Sequence, residues 1–180
     1  MPVKVHPLDL YPPTIVTLAA FVSTTTMESS FQMLLLLYGL KHANEAGTFS
    51  VMDAAERIAH FFRLRVEAGL SPEKQARTKA ENFTAAKLRH TLVDQPYPIF
   101  LRYFLLSYDK PNECLSFPGA LWEYLRTHPT EMTQVRALAL GRLAEHYSSR
   151  SRPDAQARLD VEAWVKIALE RDGESDHVND

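Results

Sequence analysis

The chain has 180 residues, 46% hydrophobic and 23% charged, the composition of one ordinary globular domain rather than of a disordered or membrane-embedded protein. A formal charge of -2 gives no whole-molecule attraction to nucleic acid, so any such binding requires a local basic face. The single cysteine, Cys114, excludes an internal disulfide and fits a reducing compartment.

Pro2, Pro7, Pro12 and Pro13 make the first dozen residues an extended arm. Thr14–Val22 fits a short helix or a buried strand equally well. Glu28–His42 reads as a helix apolar nearly all round, which predicts a central helix wrapped by the others. Neither Thr14–Val22 nor Phe31–Leu40 is long enough to span a bilayer, and no basic cluster precedes the first, so a signal peptide is not expected. The expected location is cytoplasmic. Thr48-Phe49 is a very short strand, and Ser50, with Asp53 three residues on, is the N-cap of a helix running to about Ala68. Its apolar positions, Val51, Ala54, Ala55, Ile58, Phe61 and Phe62, recur at helical spacing. Gly69 ends it, and Ser71-Pro72-Glu73 opens a short polar helix.

Asn82-Phe83-Thr84 starts the next helix, Ala85–Val93. Pro96 and Pro98 predict extended chain, and the branched and aromatic residues of Ile99–Tyr108 predict a strand. Asp109-Lys110-Pro111-Asn112 is a turn and Cys114–Phe117 a return strand. A short helix over Ala120–Arg126, a long one from Thr130 to Tyr147, and a last one from Pro153 to about Arg171 complete the order. Residues 1–172 are read as one domain, with a core over 28–126 and C-terminal helices over 130–171; the acidic stretch 173–180 is expected to be disordered.

From Glu28 to Phe117 the order is helix, short strand, helix, helix, strand, turn, strand. The expected fold is therefore mainly α with a winged-helix-like core and additional C-terminal helices, in which the helix before the hairpin is the one offered to the major groove. That helix is Thr84–Val93. Around it Arg63, Arg65, Lys74, Arg77, Lys79, Lys87 and Arg89 outnumber Glu67, Glu73 and Glu81. Phosphate neutralisation needs such a local excess, although scattered Lys and Arg on helices equally describe a solvated face. The connection from Gly69 to Phe83 is longer than a tight helix-turn-helix uses. Winged-helix folds also serve as protein-interaction modules.

Three short motifs, Leu34–Leu40 (LLLLYGL), Gln95–Leu101 (QPYPIFL) and Leu121-Trp122-Glu123, follow one another over roughly Phe31 to Tyr124. Their order resembles that of the amino-terminal DNA-reading domains of HNH-type, modification-dependent restriction enzymes, the sulfur-binding ones included. The resemblance implies a reader of altered DNA in a microbial restriction or antiviral defence system. No HNH nuclease is present, so the nuclease would be absent or on another chain. No base- or sulfur-contacting residue of that family transfers to a position here.

Catalytic signatures are missing. Glu56 and His60 share a helical face at metal-compatible spacing, but without a third ligand they read as a surface pair. Glu145-His146 is adjacent rather than on one face. Cys114 reads as a small strand thiol, and Asp160, Glu162 and Lys166 as a charged helix face. With six glycines in all, the chain holds no phosphate loop, dinucleotide fingerprint or nucleophile elbow. No catalytic residue, cofactor or metal is assigned. The sequence-based expectation is a non-catalytic DNA-binding module, with Lys87, Arg89 and His90 as groove contacts and Arg77, Lys79 and Arg102 as phosphate contacts. Tyr97, held between two prolines, is either a core ring or a rigid contact aromatic. Trp122 is expected in the core. The alternative is a protein-interaction subunit of a larger assembly, or a homo-oligomer, joined through the two C-terminal helices; the last has apolar residues on more than one side.

Overall fold

The computed structural model describes residues 14–73, 83–149 and 153–171. Helix α1 spans Ile15–Thr24, α2 Phe31–His42, α3 Val51–Glu67, α4 Ala85–Asp94, α5 Pro96–Arg102, α6 Gly119–Thr127, α7 Pro129–Tyr147 and α8 Asp154–Ala168. Strands β1 (Thr48–Ser50), β2 (Ser107–Asp109) and β3 (Cys114–Ser116) form one antiparallel sheet in the order β1-β3-β2. The protein is thus mainly helical with a small sheet. Among the described residues no helix is long and apolar enough to cross a membrane. The proline-rich arm, the segment after Glu73 and the acidic stretch lie outside the described residues.

The leucine-rich stretch forms the centre. Every residue of α2 from Phe31 to Leu40 is buried, and it packs on α7, α3, α5 and β1. Each such leucine contributes roughly 1.5–3 kcal/mol relative to exposure. Gly39 lets α2 lie directly on the sheet: a Cβ there would stand 2.7 Å from the Phe49 ring. Gly47 (φ +80°) turns the chain from α2 into β1 under Trp122, which a Cβ would meet at 2.8 Å. Trp122 itself is buried, stacks on Phe117 and donates its indole N–H to the Asn44 carbonyl at 2.9 Å.

Thr14–Val22 resolves as helix: Thr14 caps α1, its hydroxyl accepting from the Thr17 N–H. Ser50 caps α3 by accepting from the Asp53 N–H at 3.1 Å. The hairpin is also placed as its turn residues indicate. Thr48, Phe49 and Ser50 pair with Ser116, Leu115 and Cys114, and Ser107, Tyr108 and Asp109 pair with the same three in turn.

One element differs. The expected extended chain and strand over Pro96–Tyr108 is helix α5 to Arg102, then a turn, and strand only over Ser107–Asp109. The first turn of a helix has no internal partner for its N–H groups, so Pro96 and Pro98 forfeit nothing there, and proline's fixed φ suits the position. Phe100 is then carried into the core at 4.8 Å from the Phe21 ring. Packing of that ring overrides the β-preference of the surrounding residues. The helix ends where Phe104 takes a positive φ of 56°.

Candidate nucleic-acid interface

Helix α4 is amphipathic. Leu88 and Leu92 are buried, while Ala86, Lys87, His90 and Asp94 are exposed at helical spacing on the opposite side. Its inner face packs on α3, and its start is fixed by Thr84, whose hydroxyl accepts from the Lys87 N–H. Arg89 points sideways to the hairpin. Its Nη1 lies 3.3 Å from Glu113 Oε2, and its Nη2 lies 3.3 Å from His90 Nε2.

Glu113 is the joint of this surface. It occupies the left-handed region at the end of the hairpin turn (φ 50°), and its carbonyl accepts from Val51 N–H at the head of α3. Its carboxylate holds Arg89 on α4. The hairpin, α3 and α4 are therefore tied through one residue. The ion pair is partly exposed, 31% and 44% for the two side chains, and contributes only about 0–1 kcal/mol.

The basic residues divide into distinct groups. Lys87, His90 and Arg102 are exposed, as is Arg63 on α3. Arg89 is half-buried and paired. Arg65 is 6% exposed, its guanidinium lying 3.5 Å from the Tyr147 ring centroid and donating to the Ser71 carbonyl, so it belongs to the interior. Lys74, Arg77 and Lys79 lie outside the described residues. Tyr97 is half-buried, its ring 5.7 Å from that of Tyr108, leaving only part of it to meet a partner.

Beside α4 opens a cleft of about 960 Å³ that no local sequence signal marks. One wall is the turn between α1 and α2, with Thr24, Thr26 and Ser29; the other is Thr91 and Gln95 of α4 and its C-cap, then Arg102 and Tyr103 at the end of α5. Thr91 lies one helical turn beyond Lys87, so the cleft joins the exposed face of α4 to Arg102. At its base the Gln32 side chain is 4% exposed, and its Oε1 has no hydrogen-bond partner among the described residues. Leaving such an atom unmet costs about 1–3 kcal/mol.

Glu73 also reaches this base, but its carboxylate is fully engaged. Oε1 accepts the Ser30 backbone N–H at 2.9 Å, the Ser30 hydroxyl, and the Tyr147 hydroxyl at 3.2 Å; Oε2 lies 3.1 Å from His146 Nε2. An anion therefore sits at the positive end of α2, supplied from 43 residues away. Burial pushes the Glu73 carboxyl up, yet the hydrogen bonds from His146 and Ser30 outweigh it and hold the carboxyl below its usual value. Burial, then the Glu73 charge, keeps Tyr147 protonated well above the ordinary phenol range.

Among the described residues no group of three or more His, Cys, Asp and Glu could hold a metal ion. His60 is pushed down by burial and by Arg63 and Arg57, which favours the neutral ring, and no hydrogen bond or ion pair joins it to Glu56 among the described residues. Cys114 is half-buried and donates to the Asn112 carbonyl at 3.3 Å. No protein-family model, no curated protein and no solved structure matches this chain.

Proposed function

We propose that this chain is a non-catalytic DNA-binding module with a winged-helix-like core, in which α4 enters the groove and the β2–β3 hairpin lies beside it. The observation that carries this reading is the outward face of α4: Lys87 and His90 stand exposed on a helix that Arg89 ties to the hairpin through Glu113. The sheet order β1-β3-β2, with α3 and α4 between β1 and β2, supports it. Helix α5, inserted between α4 and the hairpin, is a departure from the simplest form of that core. Lys87 and Arg102 serve as phosphate contacts, His90 as a groove contact, and Arg89 fixes helix to hairpin. A target carrying modified bases or a modified backbone, in a restriction or defence setting, follows from the motif resemblance.

The test is binding of the purified protein to a mixed-sequence duplex, plain, base-methylated or phosphorothioated, across a salt series. Affinity should fall steeply with salt, and one modified duplex should bind more tightly than the plain one. Binding that ignores both salt and modification would defeat the reading.

A second reading, an interaction subunit, draws on α8. Its inner residues Val161, Val165 and Ala168 are buried, yet Leu159 is 62% exposed and Ile167 38% exposed. Substituting both with Lys should then abolish self-association or partner capture and leave duplex binding intact, as followed by sedimentation and anisotropy.

A further inference from the structure

Helix α8 is apolar on two opposite sides. Its inner residues, Ala157, Val161, Val165 and Ala168, are buried, and the helix packs on α3 and α7. On the outside, Ala155, Leu159, Ala163 and Ile167 are all exposed and follow one another at every fourth position, so they form one continuous ridge along the helix. A single exposed leucine is ordinary on a protein surface. Four apolar residues in one row, flanked by Gln156, Glu162 and Lys166, make a surface better covered by a second apolar ridge than by water.

The order of the residues says what that second ridge is. Leu159, Ala163 and Ile167 run large, small, large, a pattern that is the same from either end. Two copies crossing antiparallel at Ala163 bring Leu159 of each against Ile167 of the other, and the alanines let the helix axes approach. The charges agree. Arg158 donates to Glu162 Oε1 at 2.9 Å, which leaves the second carboxylate oxygen of Glu162 available, and Lys166 has no ion-pair partner among the described residues. With 3.6 residues per turn, Glu162 and Lys166 flank the ridge on the same side, one before Ala163 and the other beyond it. At 1.5 Å rise per residue, the antiparallel crossing sets Lys166 of one copy within about 3 Å of the height of Glu162 of the other. Symmetry repeats that pair, so a second copy returns the size pattern and the charge pattern together.

We propose that α8 is the contact of a two-fold dimer of this chain, antiparallel about Ala163, with Leu159 packed on Ile167 and Lys166 paired with Glu162 across the axis. The inference rests on the reading of α8 as an interaction surface and names its partner; it requires nothing of α4 or of DNA. A single helix face is a small contact beside the roughly 800 Å² per partner of a standard interface, so the dimer is a weak one.

The test is sedimentation equilibrium of the full chain, with the fold of each variant followed by circular dichroism. The parent should dimerise with a dissociation constant of about 1 mM or tighter. Leu159→Lys/Ile167→Lys should be monomeric throughout. Glu162→Lys and Lys166→Glu each set like charges across the axis, and each should weaken self-association about fivefold or more. Mixed in equal amounts, the two charge variants should associate at least as tightly as the parent, because every pair across the axis is then opposite in sign. All four positions are exposed, so the variants should stay folded. The proposal is overturned if the parent is monomeric at about 1 mM, if the apolar double variant dimerises like the parent, or if the mixed charge variants associate no better than either alone. A monomeric parent whose Leu159→Lys/Ile167→Lys variant loses capture of another protein keeps the interaction-subunit reading and overturns the second copy as its occupant.

Discussion

Two charged regions of this protein are built in opposite ways. In the interior, Glu73, His146, Ser30, Tyr147 and Arg65 gather from α2, α3, α7 and the loop after α3, and the carboxylate between them has its hydrogen-bonding capacity used. On the outside, Lys87, His90 and Arg102 are exposed on α4 and α5. A carboxylate withdrawn from water persists only when it is paired, so the inner cluster is architecture: it caps α2 and holds the loop down. Exposed cations contribute little to folding, so the outer face is open to selection for binding. Arg89 stands between the two, paired with Glu113 but half-exposed.

The largest expected effect separates the regions most sharply. Glu73→Ala strips the central helix of its anion and leaves His146 and Tyr147 facing an uncompensated gap. A loss of about 3–5 kcal/mol is expected in urea unfolding, whereas Lys87→Ala should stay within about 0.5 kcal/mol of the parent. If both variants unfold alike, the division between architectural and surface charge fails.

Next comes the dependence on pH. The folded Glu73 carboxyl titrates below its unfolded value, so in acid the unfolded chain binds the extra proton and stability falls as pH falls. The contribution is fully present above the unfolded glutamate value, about 4.3, and is lost as pH drops through the lower folded value. Thermal melts between pH 6 and pH 3 should show this slope in the parent, and Glu73→Gln should flatten it. An unchanged slope in that variant would mean that other carboxyls set the acid limit.

A packing change of intermediate size tests the apolar centre separately from both charged regions. Gly39→Ala drives a Cβ to within 2.7 Å of Phe49 and should cost about 1–3 kcal/mol through overpacking. Circular-dichroism melts would reveal it, and duplex binding by the folded fraction should be unaltered. The smallest effect is expected at the joint. Arg89→Ala removes a partly exposed pair, so stability should change by at most about 1 kcal/mol, measured by a double-mutant cycle with Glu113→Ala.

The contrast also explains what could be read from the residues alone. The uninterrupted leucines of α2 announce a helix buried on all sides, the Ser50 cap and the Asp109–Asn112 turn act through near neighbours, and each appears where local chemistry places it. Helix α5 was hidden because two prolines and a run of aromatic and branched residues imitate extended chain. Only the core position awaiting Phe100 decides otherwise. The Glu73 cluster was hidden for another reason: its partners Ser30 and His146 lie 43 and 73 residues away, with no spacing rule to link them. Arg65 illustrates the same blindness, since a basic residue at helical spacing gives no sign that Tyr147 will lie beneath it. Of Lys87, Arg89 and His90, expected together as groove contacts, Lys87 and His90 are exposed while Arg89 is half-buried against Glu113, because a basic residue on a short helix gives no sign of the hairpin it will meet.

The most direct test of the outer face is anisotropy of a labelled duplex with the parent chain and with Lys87→Glu/Arg102→Glu, across a salt series. If these residues neutralise phosphates, the parent's affinity falls linearly with salt on logarithmic axes, and the double variant loses about one unit of slope per lost contact while keeping its melting temperature. Equal affinity and equal slope in the two proteins would contradict DNA binding through α4.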